Sequence, residues 1–335
     1  MDLKELITGY NELNDTEQSE FRMLLEAKTR QFTIDELSQE NKQIQQLNCP
    51  HCGAERLVSN GKQKGVQRYL CRICNKNFSE YTGSSVAFLK KRDLWSSYIE
   101  SMLKGYSLRK CAEETDISLQ TSFNWRHKIL SSLQTSIPQE FNGITESDDI
   151  FFDFSEKGKK DLNRPARKRG TIKGKTGIHS GKVAVIVTSD RNGNKEFKLA
   201  TMGRISKNDI EKAIGDKLSK TTVLCTDSHR SYTAFTKNQQ LKHQKIKAGK
   251  GQYVKDKIYH VQTVNSTTAR LRTWIRGFNG VSTKYLQNYL NWFMLLEQIK
   301  DKSNQLKSFA VAALISKQAW EIFNNIEMNH TYFRT

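Results

Sequence analysis

The sequence predicts a multidomain α+β chain in which a mixed sheet with flanking helices is preceded by a four-cysteine ribbon and a pair of short helices. Three observations predict it: two CxxC pairs in a short, turn-rich stretch, two serine-initiated helical segments after them, and strand-like and helix-like segments taking turns from Gly143 to Lys247. At 335 residues the chain has length for two or three units and at least one sizeable core. The expected division is a helical N-terminal segment over 1–47, the ribbon over 48–82, the helical pair over 90–136, the sheet domain over 140–300 and a helical tail over 301–335.

In the first segment Leu6, Tyr10, Leu13, Phe21, Leu24, Leu25, Phe32, Ile34 and Leu37 recur mostly three or four apart among charges, which predicts two or three amphipathic helices. They either pack on the rest of the chain, mediate self-association or form a solvated lead-in, and no chemistry attaches to them. Residues 1–48 carry ten acids against five bases, so of the net +19 the remainder holds +24. Such a surplus points to a polyanionic partner, because each neutralised phosphate releases condensed counterions. No apolar run approaches the roughly 20 residues of a membrane helix, and MDLKELITGY lacks the charged-then-apolar layout of a secretory signal. A cytoplasmic, nucleoid-associated protein without a membrane partner is therefore expected.

Cys49-Pro50-His51-Cys52 and Cys71-Arg72-Ile73-Cys74 are knuckles eighteen residues apart, the spacing of a four-cysteine zinc ribbon. Each knuckle aims two thiolates at one tetrahedral ion, and the metal bonds replace a core that so short a segment cannot bury. One structural zinc on Cys49, Cys52, Cys71 and Cys74 is expected, with His51 a bystander. Lys62, Lys64, Arg68, Arg72 and Lys76 suit phosphate contact or plain solubility. Cys111 and Cys225 read as small core residues.

Ser107 and Ser118 can each cap a helix, the first over Leu108–Glu114 and the second from Leu119 to about Leu133, joined at Asp116-Ile117. This is the layout of a helix-turn-helix. With Leu108, Ala112, Ile117, Thr121 and Trp125 as its inner seam, Gln120, Ser122, Asn124, Arg126 and Lys128 are expected to face a major groove.

From Gly143 onward the order is strand, strand, strand, helix, strand, helix. Lys182–Ser189 and Lys195–Thr201 form a hairpin turned at Asn192-Gly193, Ser206 caps a helix to about Leu218, and Thr222–Thr226 is a short strand ending at Asp227. Asp148 is an acid without a packing reason in an otherwise strand-compatible run. An RNase H-like fold has this order, and its neighbouring first and fourth strands would bring Asp148 and Asp227 together. Two such carboxylates can hold divalent ions about 4 Å apart for in-line phosphoryl displacement. Hard oxygen ligands suit two magnesium or manganese ions. The competing reading makes Asp148 an exposed acid and Asp227 a helix cap.

Over about residues 45–297 the chain resembles insertion-sequence transposases of the group numbered fifteen-ninety-five, which carry ribbon, helix-turn-helix and RNase H-like core in that order. The resemblance rests on Gly143–Phe152, on Cys225-Thr226-Asp227 with Tyr232, on His260-Val261-Gln262-Thr263-Val264-Asn265-Ser266 with Arg272, and on Gly280–Leu286 with Tyr289-Leu290. It implies a bacterial DNA strand-transfer enzyme acting on double-stranded element ends and target DNA as a homodimer or higher oligomer. It also implies the metal set Asp148, Asp227 and Asn265. Asn265 stands where general DDE transposases have glutamate, a replacement common in this group, and its amide oxygen brings no charge to the ion. Arg272, seven residues on and so about two turns along a helix, would hold a phosphate. Members more often carry lysine there. Asp149 replaces the group's usual glutamate, and strand alternation lets only one of Asp148 and Asp149 face the metals, the match selecting Asp148.

Lys157–Lys182 contains ten bases against Asp161 alone, with Gly158, Gly170, Gly174 and Gly177 among them. A mobile loop ordering on DNA is expected, Arg167, Lys168 and Arg169 among its contacts, against the alternative of a solvated insert. Two rivals remain open from sequence: an RNase H-like nuclease or resolvase that cuts without joining, and a catalytically inactive zinc-ribbon DNA-binding regulator derived from a transposase.

Overall fold

In the computed structural model the residues described are 3–21, 33, 34, 36, 37, 47–133, 140–162, 177–316 and 318–326. Near the N-terminus, helix α1 spans Leu3–Glu12. The side chains of Ile34 and Leu37 are buried in the same apolar cluster as Trp95, Tyr98 and Ile129, so this segment packs on the body of the chain.

The ribbon is a three-stranded antiparallel sheet of β1 (Leu57–Gln63), β2 (Val66–Cys71) and β3 (Asn77–Ser79), in the order β1-β2-β3. Each knuckle closes through a backbone bond onto its first cysteine, from Gly53 N to Cys49 O at 2.8 Å and from Asn75 N to Cys71 O at 2.9 Å. Gly53 and Asn75 adopt positive φ, 75° and 54°, a conformation that glycine and asparagine tolerate best.

Three helices follow: α2 (Trp95–Leu103), α3 (Leu108–Glu114) and α4 (Leu119–Ser132). Ser107 Oγ accepts from Lys110 N and Ser118 Oγ from Thr121 N, the caps expected from sequence. At the bend between α3 and α4, Asp116 has a φ of 46°.

The main sheet has five strands in the order β6-β5-β4-β7-β8, where β4 is Ile144–Asp153, β5 Lys182–Asp190, β6 Lys195–Met202, β7 Val223–Thr226 and β8 Lys242–Lys245. The first three are antiparallel, whereas β4–β7 and β7–β8 are parallel, so the sheet is mixed. The β5–β6 hairpin turns at Asn192-Gly193, held by the Asp190 carboxylate, which accepts from the amides of Asn192 and Asn194. Helices α5 (Lys207–Ile214) and α6 (Arg230–Gln239) cover one face, burying Ile210, Ile214, Tyr232 and Phe235 against Ala184 and Ile186. The opposite face, with Ile150, Val183, Val185 and Val187, is covered by α7 (Gln262–Arg276) and α8 (Thr283–Ile299). Between β8 and α7 stands a small hairpin of β9 (Val254–Lys255) and β10 (Tyr259–His260).

Helix α8 belongs to two cores. Leu286, Leu290, Phe293 and Met294 face the sheet, while Tyr289, Trp292, Leu295 and Ile299 face the cluster built by α2, α4 and the last helices, α9 (Gln305–Ile315) and α10 (Ala319–Asn324). Among the described residues, no helix is long and apolar enough to cross a membrane.

Candidate active site and cysteine cluster

Strand β4 alternates as a strand must. Ser147 and Asp149 point to the face covered by α6, where Ser147 Oγ lies 3.3 Å from the buried Tyr232 hydroxyl, and Glu146 and Asp148 point to the face covered by α7. The parallel register sets Thr145 beside Leu224 and Glu146 beside Cys225, and continuing it by two residues brings Asp148 level with Asp227. Asp227 is exposed just beyond β7, its Oδ1 accepting from His229 N at 2.9 Å.

The three aspartates feel one another. Burial first, and then the charges of Asp149 and Asp227, push Asp148 up to about 7, although the Asp149 amide donates to its Oδ1 at 2.9 Å and Arg272 pulls the other way. Burial and the Asp227 charge push Asp149 up to about 6. On the far side, burial and then the Asp149 charge hold the Tyr232 phenol protonated well above its usual range. An edge where half-buried carboxylates repel each other is one that a divalent cation would relieve, and the oxygen donors there are the hard kind that magnesium or manganese prefers. Asn265 and Arg272 are exposed on α7, each one position along from a buried residue, Val264 and Leu271, of the stripe that meets the sheet.

What fixes α7 is Glu146, a residue to which sequence reading gave no role. Its side chain is 1% exposed, and its Oε2 accepts from the amides of Thr263 and Val264 at 2.8 and 3.1 Å, capping the helix with a charge. Its Oε1 meets Arg191 Nη2 at 2.9 Å and His260 Nδ1 at 3.3 Å. Arg191 also donates to Thr263 Oγ1 and to the carbonyl of Ile258. Thus one carboxylate, two residues before Asp148 on the same face, holds the helix turn that carries Asn265.

At the ribbon, the Sγ atoms of Cys49, Cys52, Cys71 and Cys74 all lie within 4.8 Å of one another. Among the described residues this is the one group of three or more cysteine, histidine or acid side chains so arranged. Sulfurs bonded tetrahedrally to zinc at about 2.3 Å sit about 3.8 Å apart. Cys49–Cys74 and Cys52–Cys71 are separated by 3.6 and 3.7 Å, so the cluster could hold one zinc ion. The amide of Cys74 lowers the Cys71 thiol, while burial and the neighbouring thiols raise that of Cys52. His51 is exposed, its ring edge-on to Phe78. Cys111 and Cys225 are both fully buried, as expected.

Helix α4 corrects the sequence reading. Arg126 and Lys128 do not face outward: they are 0% and 7% exposed, and Ser122 is buried with them. Arg126 Nη2 donates to the Tyr106 carbonyl at 2.7 Å and to Cys111 Sγ at 3.1 Å, and its guanidinium lies over the Trp292 ring. Lys128 Nζ donates to the Ala87 carbonyl at 3.0 Å and stands 4.2 Å from the Trp320 ring centre, burial lowering it to about 8. The physical reason is that α4 is covered on a second side by α8, α9 and α10, which turns polar positions inward. Gln120 is exposed and Asn124 half-buried, the two joined by a 3.1 Å hydrogen bond. Arg167, Lys168 and Arg169 lie outside the described residues.

The chain was compared with known proteins. Residues 140–294, the stretch from just before β4 to late in α8, match the model of the ISXO2-like transposase domain. The chain is 27% identical over 274 residues to an uncharacterized protein in transposable element ISH50 of Halobacterium salinarum, an alignment covering 79% of this chain and 91% of the relative. Weaker structural likenesses at 11% identity include a pre-cleavage Mos1 transpososome (TM-score 0.28, 70% of this chain and 78% of that one). The Mos1 transposase paired-end complex with left transposon end is similar at a TM-score of 0.24, covering 71% and 79%. A domain match enclosing β4, β7 and α7, joined to a relative aligned over nearly its whole length, makes residues 140–294 similar to the ISXO2-like transposase domain of insertion sequences.

Proposed function

We propose that the chain is a DNA transposase that binds the terminal inverted repeats of its element, cuts the phosphodiester at each end and joins the freed 3' hydroxyl to target DNA. The observation that carries this reading is the parallel pairing of β4 with β7, whose register runs Asp148 and Asp227 out to the same edge of the mixed sheet.

Asp148 and Asp227 are the anionic ligands of the site and Asn265 a neutral one. Two magnesium or manganese ions bound there supply charge neutralisation of the scissile phosphate and activation of the attacking oxygen. Arg272, near enough to bias the charge on Asp148, grips a phosphate oxygen. Glu146 holds the first turn of α7, the helix that carries Asn265 and Arg272. Cutting and joining are one displacement with two nucleophiles, water and then a sugar hydroxyl, which lets a single site serve both. The zinc-loaded ribbon, the α3–α4 helix-turn-helix through Gln120 and Asn124, and the basic segment with Arg167, Lys168 and Arg169 hold the DNA. Two ends must be joined, so a homodimer or larger assembly forms on DNA.

The test is strand transfer on labelled element ends with magnesium or manganese. Wild type yields joined product, and Asp227→Ala yields none while still binding DNA. If neither protein joins ends, the transposase reading is wrong.

A further inference from the structure

We propose that the segment from Lys247 to His260 is a DNA-gripping finger beside the acid pair, its lysines on phosphates and its apolar tip against bases. The inference rests on the transposase reading and adds to it an interface that no sequence motif announced.

The base of the finger is built in. Tyr259 and Val261 pack with Cys225 and Ile246, which ties the hairpin to β7 two residues before Asp227. Arg191 Nη2 donates to the Ile258 carbonyl at 3.3 Å, His260 Nδ1 meets Glu146 at 3.3 Å, and Lys255 Nζ donates to Gln244 Oε1 at 2.8 Å. A hairpin anchored this way projects from the same edge of the sheet as Asp227.

The tip is made for a partner. Tyr253, Val254 and Ile258 are 57%, 47% and 50% exposed. Of eight large apolar side chains exposed among the described residues, three therefore fall within six positions, a concentration that marks contact surface rather than scatter. Around them, residues 242–260 carry six lysines and Asp256 alone as an acid, with Lys247, Lys250 and Lys257 exposed. Apolar groups ringed by cations complement a strand whose phosphates are anionic and whose bases are flat and apolar. The turn adds a third observation. Asp256 and Lys257 both hold positive φ, 50° and 61°, and the Ile258 amide closes on the Lys255 carbonyl at 3.2 Å, so a primed hairpin turn that glycine would satisfy at least cost keeps a lysine instead.

The experiment measures binding of the full-length, zinc-loaded protein to a fluorescein-labelled mixed-sequence duplex with a single-stranded overhang, without added magnesium, between about 50 and 200 mM salt. Replacing Lys247, Lys250 and Lys257 together by alanine is expected to reduce the slope of log affinity against log salt by about 2 to 3, and replacement by arginine to retain it. Tyr253→Ala is expected to weaken binding about fivefold or more at every salt concentration with the slope unchanged, and Tyr253→Phe to match wild type. A slope unaltered in the triple alanine variant overturns the finger, and a change confined to sedimentation behaviour assigns the patch to a protein contact and overturns it equally. Absence of DNA binding by wild type would instead remove the transposase reading.

Discussion

Single side chains explain why the site holds its shape. Glu146 offers its charge to two helix-end amides, to Arg191 and to His260, all drawn from outside its own strand. Glu146→Gln keeps the size but loses the charge-assisted bonds, and urea denaturation should show a loss of about 2 kcal/mol. If the substitution is neutral in stability, Glu146 is not the clamp. His127 yields a pH prediction. It is buried against Tyr285 and Phe123 with Nδ1 lacking a hydrogen-bond partner, and burial, then the charges of Arg126 and Lys284, lower it to about 3. The unfolded chain binds this proton near pH 6.5 and the folded one does not. Its contribution to stability is therefore whole above about pH 6.5 and lost as pH falls toward 3, costing about 2 kcal/mol by pH 5. His127→Phe should flatten that part of the stability profile. Asp148 is legible in sequence because an acid breaks a strand-compatible run. Glu146 is not, because its partners are 45 to 118 positions away and only folding brings them near.

Elements show where pattern reading succeeds and where it stops. The serine caps of α3, α4 and α5 and the Asn-Gly turn of β5–β6 are local chemistry, and each is found where the sequence puts it. Strand β8, Lys-His-Gln-Lys, escapes notice because an edge strand of polar residues has no apolar alternation to detect. Helix α4 misleads for the opposite reason. Arg126 and Lys128 read as surface residues, and what buries them arrives from α8 and α10, more than 150 positions later. Arg126→Ala should accordingly cost about 3 kcal/mol in thermal or urea unfolding, whereas Gln120→Ala should change stability by less than about 0.5 kcal/mol. Equal effects would contradict the burial. The ribbon depends on its cysteines in the same local way. Cys71→Ser should leave zinc substoichiometric by metal analysis and abolish ordered ribbon signals in NMR spectra, with the sheet domain retained.

For the whole molecule, the arrangement that matters is the sharing of α8 between two cores. A helix is a stiff rod, and inserting one residue midway turns everything beyond it by about 100°. Such an insertion would leave Leu286 against the sheet but swing Leu295 and Ile299 away from the helical cluster, so one of the two cores would have to open. The same insertion in an ordinary tether between domains would change little. Front and rear of this molecule are thus geared rather than hinged. Under the proposed function, a duplex seated on the α3–α4 surface would meet Asp148 and Asp227 at a fixed offset, and the interval between the grip and the cut would be a dimension of the protein rather than a choice made by the DNA.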